Sequence, residues 1–212
     1  MEQKIKAIFF DFDGVIVDSL QLWNLMFEEV GKTYKLNATC LLENDGLNFT
    51  TNEAIQLMLE NQQRFTTDLY EEIIDWTELF YVEHFHHYIK LNDYVIEMLG
   101  NLKSNHIQIL LVSNSSRKQI NHAFKVLKLH PYFDHTITAD DVLKGKPDAE
   151  PYLKALLLSQ KQKEEIIVIE DSLTGIDAAK NAGLTYKIYK HPDYIQHPNY
   201  LSDFREIIKM IQ

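Results

Sequence analysis

Seven residues of this chain are of the types that phosphoryl transfer requires: Asp11, Asp13, Ser113, Asn114, Lys146, Glu170 and Asp171. That chemistry needs a nucleophile, a proton donor for the leaving oxygen, fixed positive charge around the equatorial oxygens and a metal. Asp11 could attack phosphorus as a carboxylate and form an aspartyl-phosphate, which splits one hard displacement into two easier ones. Asp13, two residues on, could protonate the leaving group and then activate water. Ser113 and Asn114 offer polar groups to the phosphoryl oxygens, and Lys146 adds a point charge.

A carboxylate and a phosphate dianion repel each other, and a magnesium ion answers that repulsion. Magnesium takes hard oxygen ligands in octahedral geometry and needs only one or two carboxylates besides substrate oxygen and water. Asp11 and Asp171 are the expected side-chain ligands and the backbone carbonyl of Asp13 a third, while Glu170 either binds the metal directly or steadies one of its ligands. Lys146 has a defined setting: Gly145 permits a sharp turn, Pro147 biases Lys146 toward an extended conformation, and Asp148 is placed to cap a helix carrying Tyr152, Leu153 and Leu156.

Elements must bring these residues together. Ile5–Phe10 is a short β-branched and aromatic run closed by Asp11-Phe12-Asp13-Gly14, which reads as a buried strand and a turn. From Ser19 to about Ile89 the spacing is helical, with Leu20, Trp23, Phe27 and Val30 on one stripe and Ala54, Leu57 and Met58 on another. After Asn92, strands are expected at Ile107–Ser113, Thr136–Ala139, Ile166–Glu170 and Thr185–Tyr189. Helices are expected at Val95–Lys103, Lys118–Leu127, Glu150–Leu158, Leu173–Ala182 and Phe204–Met210.

Strands alternating with helices imply an α/β fold, a doubly wound, mainly parallel, Rossmann-like sheet covered on both faces, with an all-helical cap inserted after the first strand. The expected core is residues 1–17 and 90–212, and the cap 18–89. Ligands of such sheets sit outside the carboxyl ends of the strands. Asp11 and Asp13 follow the first strand, Ser113 and Asn114 the second, Glu170 and Asp171 the fourth. Gly145-Lys146-Pro147 lies in the connection after the third.

Composition narrows the partners. A formal charge of −10 in 212 residues disfavours nucleic acid and anionic lipid, both of which are bound through clustered Lys and Arg. An anionic substrate must therefore be small and held locally, which points to a small phosphorylated metabolite. Cys40 is the single cysteine and cannot form an internal disulfide, no apolar run is long enough to span a bilayer, and no secretion signal leads the chain. A cytoplasmic location is expected.

The ordered segments Asp11-Phe12-Asp13-Gly14-Val15, Ser113-Asn114-Ser115, Gly145-Lys146-Pro147 and Glu170-Asp171-Ser172, the last followed by Gly175-Ile176, Ala178-Ala179-Lys180 and Ala182-Gly183, resemble the four motifs of the haloacid dehalogenase superfamily. The branch they resemble contains phosphoglycolate phosphatases, sugar-phosphate phosphatases and β-phosphoglucomutase. The resemblance implies Asp11 as nucleophile, Asp13 as acid and base, Ser113 and Lys146 as phosphoryl contacts and Asp171 as metal ligand. It also implies a helical cap that closes over the site and excludes water. Dehalogenase members lack the second aspartate of the first motif, so Asp13 favours phosphoryl transfer. Where β-phosphoglucomutase carries a histidine and a phosphate-binding arginine in its cap, this chain aligns Trp23 and Phe49, which favours hydrolysis over a mutase reaction. Trp23, Phe49 and Arg117 are the candidate specificity residues.

Each motif also has an ordinary structural reading. Asp-x-Asp-Gly is common turn chemistry, Ser113-Asn114 could cap a helix, Lys146 could be solvated, and Glu170-Asp171 could be the acidic first turn of a helix. His84, His86 and His87 do not share one helical face and are not expected to bind metal. A receiver-type signalling module also phosphorylates an Asp beside a metal, but places that Asp after the third strand. The expected activity is a magnesium-dependent phosphatase, with a phosphosugar mutase as the alternative.

Overall fold

Ala7–Phe10 has no polar side chain, and as strand β1 it is buried on both faces. Only a central strand of a sheet covered on both sides can be so. It pairs in parallel with β4 (Gln108–Val112), Ala7 opposite Gln108 to Phe10 opposite Leu111, and with β6 (Ile166–Glu170), Ala7 opposite Ile166 to Phe10 opposite Ile169. The structure is a computed structural model describing residues 4–38, 41 and 50–211.

The remaining strands extend the sheet outward: β5 (His135–Ile137) beyond β4, then β7 (Thr185–Tyr189) and β8 (Tyr200–Leu201) beyond β6. Every pairing is parallel. Counted in chain order, the six strands lie as 3-2-1-4-5-6, so the order reverses between β1 and β6, where the crevice of a doubly wound sheet lies. Val17–Asp18 (β2) and Lys90–Leu91 (β3) form a separate two-stranded sheet.

The chain divides into two compact units, Met1–Asp18 with Leu91–Gln212, and Ser19–Lys90. In the first, alternate residues of the strands, Ala7, Phe9, Leu110, Val112, Ile166 and Val168, pack with Tyr152, Ala155, Ala178 and Ala179 of the crossover helices. Burial of side chains of this size contributes roughly 1.5–3 kcal/mol for each large one. The small Ala178-Ala179 pair lets its helix approach the strands closely.

Several boundaries differ from the sequence expectation. The third core strand stops at Ile137 rather than reaching Ala139, because the side chain of Asp141 accepts from the N–H and hydroxyl of Thr138 and turns Ala139–Asp141 into a 3-10 segment. Strand β8 is not anticipated at all, since two residues carry no periodicity.

In the second unit the described helices are α1 (Leu20–Tyr34), α2 (Thr51–Asn61) and α3 (Thr67–Tyr88). Thr50 and Glu53 form a capping box at the start of α2, and Thr66 caps α3. The buried stripe of α1 is Leu22, Met26 and Val30, not the expected Leu20, Trp23, Phe27 and Val30. Leu20 is exposed and Trp23 and Phe27 are half-buried, because at 100° per residue a stripe read one residue away still looks apolar. No described helix is long and apolar enough to cross a membrane.

Candidate active site

Sheet register is the first positioning device. Phe10 lies opposite Ile169, and the Asp11 N–H donates to the Ile169 carbonyl at 3.0 Å, extending the ladder one residue further. Asp11 therefore sits beside Glu170, the last residue of β6, and both side chains are buried. Asp171 follows at once. One carboxylate oxygen from each of Asp11, Glu170 and Asp171 lies within 4.8 Å of the others, the one such acidic, histidine or cysteine group among the described residues. The three histidines His84, His86 and His87 form no such group, and His84 stacks on Phe80 at 3.9 Å.

Lys146 joins this cluster and is 4% exposed. Its ammonium donates to Asp11 Oδ1 at 2.7 Å, Glu170 Oε1 at 2.5 Å and the Val112 carbonyl at 2.8 Å. An ammonium has three hydrogens, and all three are engaged. The loop that delivers it is held on several sides. Glu150 accepts from the N–H groups of Leu143 and Lys144, Asp148 accepts from Glu150 N–H, and Asn181 donates to the Pro147 carbonyl at 3.0 Å. Helix α6 (Glu150–Ser159) has no side-chain cap at its N-cap residue Ala149. Asp148 serves its first N–H instead, from one residue upstream.

Two glycines make room for the acids. A Cβ on Gly14 would lie 1.8 Å from Asp171 Oδ2, and one on Gly175 2.0 Å from Glu170 Oε2. Gly14 also has φ +77°, a conformation open to glycine. Helix α7 (Leu173–Asn181) is capped by Ser172, whose hydroxyl accepts from Gly175 N–H. Glu170 thus ends a strand and Asp171 precedes the cap, so neither is the acidic first turn of that helix.

The electrostatics follow from burial. Burial first, then the neighbouring Glu170 charge, pushes the Asp11 carboxyl up to about 7, against the opposing pull of Lys146. Burial and the charges of Asp11 and Glu170 raise Asp171 well above the usual carboxylate range. Burial would lower the Lys146 ammonium, but the two carboxylates it touches outweigh that and raise it.

A divalent cation fits this donor set. Three carboxylates face one ammonium, an excess of two negative charges when all are ionised. Glu170 Oε2 is buried without a hydrogen-bond partner, and a bound cation would satisfy it. Hard oxygen donors in a group of three suit magnesium.

Asp13 acts through its charge on both Asp11 and Asp171. Its Oδ2 accepts from the Ser115 hydroxyl at 2.7 Å. Ser113 is buried, and its hydroxyl oxygen accepts from Ser115 N–H at 3.0 Å. Neither caps a helix: α5 (Arg117–Leu127) is capped by Ser116 and Gln119. Asn114, an expected phosphate contact, has its side-chain amide paired with the Lys146 backbone. Arg117, expected to meet substrate, has its guanidinium paired with Asp141 and with Thr136 Oγ1, the latter at 2.9 Å. Trp23 packs at 5.7 Å on Tyr81 within its own unit. Phe49 and Cys40 lie outside the described residues.

Sequence reasoning passed over three contributors. Ser115 holds Asp13, and its signal was the Ser-Asn-Ser run, whose first and third residues lie on the same side of the chain. Tyr152, read as a core residue of its helix, donates its hydroxyl to Glu170 Oε1. Asn92 donates to the carbonyls of Gly14 and Val15 at 3.0 and 2.8 Å and so fixes the loop after Asp13.

Several known proteins are similar to this chain over most of its length. A protein of Caldanaerobacter subterraneus subsp. tengcongensis, provisionally named pyrophosphatase PpaX, is 31% identical over 99% of this chain and 96% of its own length. The phosphorylated carbohydrates phosphatase of Thermotoga maritima is 28% identical over 85% of this chain and 82% of its own. The crystal structure of CbbY from Rhodobacter sphaeroides in complex with phosphate has the same fold, with a TM-score of 0.81 at 23% identity over 96% of each chain. The family model described as haloacid dehalogenase-like hydrolase matches residues 8–188, from the first core strand to the fifth, and the chain belongs to that family.

Proposed function

We propose that this hydrolase is a magnesium-dependent phosphatase of small phosphorylated metabolites that works in the cytoplasm and passes the phosphoryl group through Asp11. The observation that carries the reading is the buried meeting of Asp11, Glu170 and Asp171 with a single ammonium, Lys146. Asp11 and Asp171 would hold the metal, with Glu170 through Oε2 and the Asp13 carbonyl as further donors. Bound there, magnesium supplies the positive charge that lets a carboxylate approach a phosphate dianion.

The remaining steps belong to the chain. Lys146 fixes Oδ1 of Asp11, so the carboxylate presents its other oxygen in a set direction. An Asp11 oxygen forms the bond to phosphorus while the bond to the leaving oxygen breaks, and Asp13 gives that oxygen its proton. Water then attacks phosphorus, loses its proton to Asp13, and the bond to Asp11 breaks. Ser115 keeps Asp13 aimed for both transfers. Ser113 accepts from Ser115 N–H, so its own hydroxyl hydrogen is the part of the group to offer a phosphoryl oxygen. With its three hydrogens engaged, Lys146 acts on Asp11 first and meets the phosphoryl group by exchanging one of those bonds.

The relatives named for pyrophosphate and phosphorylated carbohydrates support a small anionic substrate, as does the net charge of −10. The test is phosphate release with magnesium from a panel of pyrophosphate, sugar phosphates, two- and three-carbon phospho-acids and nucleotides. Turnover on at least one of these, lost in Asp11→Asn, is expected. Conversion of β-glucose 1-phosphate to glucose 6-phosphate without phosphate release would replace hydrolysis by the mutase reaction. A stable phospho-protein that does not turn over would contradict both.

A further inference from the structure

Glu170 is fully buried and receives two hydrogen bonds on one oxygen, from the Lys146 ammonium at 2.5 Å and from the Tyr152 hydroxyl, both on Oε1. Its other oxygen, Oε2, has no hydrogen-bond partner and lies against Gly175, where a Cβ would come within 2.0 Å. The two donors are not equivalent. Lys146 rides a flexible four-carbon stem and divides its hydrogens among Glu170, Asp11 and Val112. Any change of charge or bonding at Asp11 therefore pulls on it. Tyr152 has one hydroxyl hydrogen, on a ring clamped in the core among Val112, Val168, Ala155, Ala178 and Ala179. That hydrogen goes to Glu170 and not to Asp11.

The geometry points to Tyr152 as a positioning residue that fixes Glu170 through Oε1, so that Oε2 stays presented to a divalent cation while Lys146 exchanges its bond to Asp11. This rests on the magnesium reading above and deepens it. A phenol buried in an apolar cluster has a desolvation cost that a phenylalanine would avoid. What the hydroxyl provides in return is a second donor to a carboxylate that would otherwise turn on one bond. Partners that orient a ligand in this way typically contribute about 10- to 100-fold to metal affinity.

The experiment is calorimetric titration of the substrate-free, full-length protein with magnesium chloride, with melting curves of the metal-free proteins alongside. Wild type is expected to bind and Asp171→Asn to lose binding. Tyr152→Phe, which keeps the ring and removes only the hydroxyl, is expected to bind about 10-fold more weakly or worse. In a Glu170→Gln background the same substitution is expected to make no further difference, because it acts through Glu170. If Tyr152→Phe binds like wild type while Asp171→Asn does not, the hydroxyl has no positioning role and the magnesium reading stands. A lowered melting temperature with unchanged affinity assigns the hydroxyl to packing, and an equal loss in both backgrounds does the same; either overturns the inference. Failure of the wild type to bind would overturn the magnesium reading itself, and the inference with it.

Discussion

Asn114 forms a closed pair with the backbone of Lys146: the Lys146 N–H donates to Oδ1 at 2.9 Å and Nδ2 donates to the Lys146 carbonyl at 3.1 Å. A residue two positions past the end of β4 thereby sets the position of a lysine thirty-two residues later. A flexible ammonium is useful at a reaction centre only if its backbone is fixed. Two neutral hydrogen bonds contribute about 1–3 kcal/mol.

Removing that pair should cost activity without unfolding the sheet. Asn114→Ala is expected to lower kcat/KM about 10-fold, since about 1.4 kcal/mol is tenfold in rate. Asn114→Asp keeps the acceptor and loses the donor, and should fall between. Steady-state phosphate release checks both, and wild-type kinetics in Asn114→Ala would remove Asn114 from this role.

Ser115 should act through Asp13. Its hydroxyl donates to Asp13 Oδ2 at 2.7 Å, so Ser115→Ala leaves the proton-transfer group present but less well aimed. A fall in kcat of about 10-fold with a smaller change in KM is expected. Asp13→Asn should lose more, and adding Ser115→Ala to it should change little further. Additive losses in the double variant would show that the two residues act separately.

Gly175 offers a test of crowding at Glu170. An ordinary Gly→Ala change inside a helix stabilises by up to about 1 kcal/mol, but here the added carbon would meet the Glu170 carboxylate at 2.0 Å. No positive φ is involved, so the conflict is contact rather than backbone strain. Gly175→Ala should lose the rise in melting temperature that the proposed magnesium site is expected to give the wild type. A variant that is both more stable and fully magnesium-responsive would contradict the geometry.

The metal-free protein should become less stable as pH rises toward 7. Burial and the Glu170 charge push the folded Asp11 carboxyl up to about 7, from 3.8 for an unperturbed aspartate, so the folded state holds a proton that the unfolded state has already released. Folding then binds more protons than unfolding, and stability falls as pH climbs between those two values. Asp11→Asn removes the part of this slope that belongs to Asp11, leaves the part due to burial of Asp171, and should raise the metal-free melting temperature at pH 8, while Lys146 keeps Glu170 as a partner. Melting curves in chelator from pH 5 to 8 check the sign. A wild type that gains stability over that range would contradict it.

Much of the fold was readable because local chemistry and tertiary structure agree. Ile166–Glu170 and Thr185–Tyr189 have the bounds expected of them, since the first is an apolar, β-branched run ending in Glu170 and the second is rich in β-branched and aromatic residues around Lys187. The stripe of α1 was misread because helical spacing alone does not say which of two adjacent apolar lines meets a neighbour. The 3-10 turn at Ala139–Asp141 was missed because Thr-x-x-Asp competes with strand extension only once Asp141 can fold back on Thr138.

Sequence by itself determined the chemistry of the strand ends: which carboxylates, which hydroxyl and which ammonium the chain has to offer, and that they follow successive strands. Residue type and order are local properties, and parallel pairing brings strand ends to one edge. Tertiary structure alone decided which of those groups touch. Asn114 turned to the Lys146 backbone and Arg117 to Asp141 rather than outward, while Ser115 and Tyr152 supplied hydrogen bonds to Asp13 and Glu170. A hydrogen bond depends on distances of a few tenths of an ångström between residues up to 135 positions apart, and only the register of β1 with β4 and β6 and the seating of the helices bring that precision about.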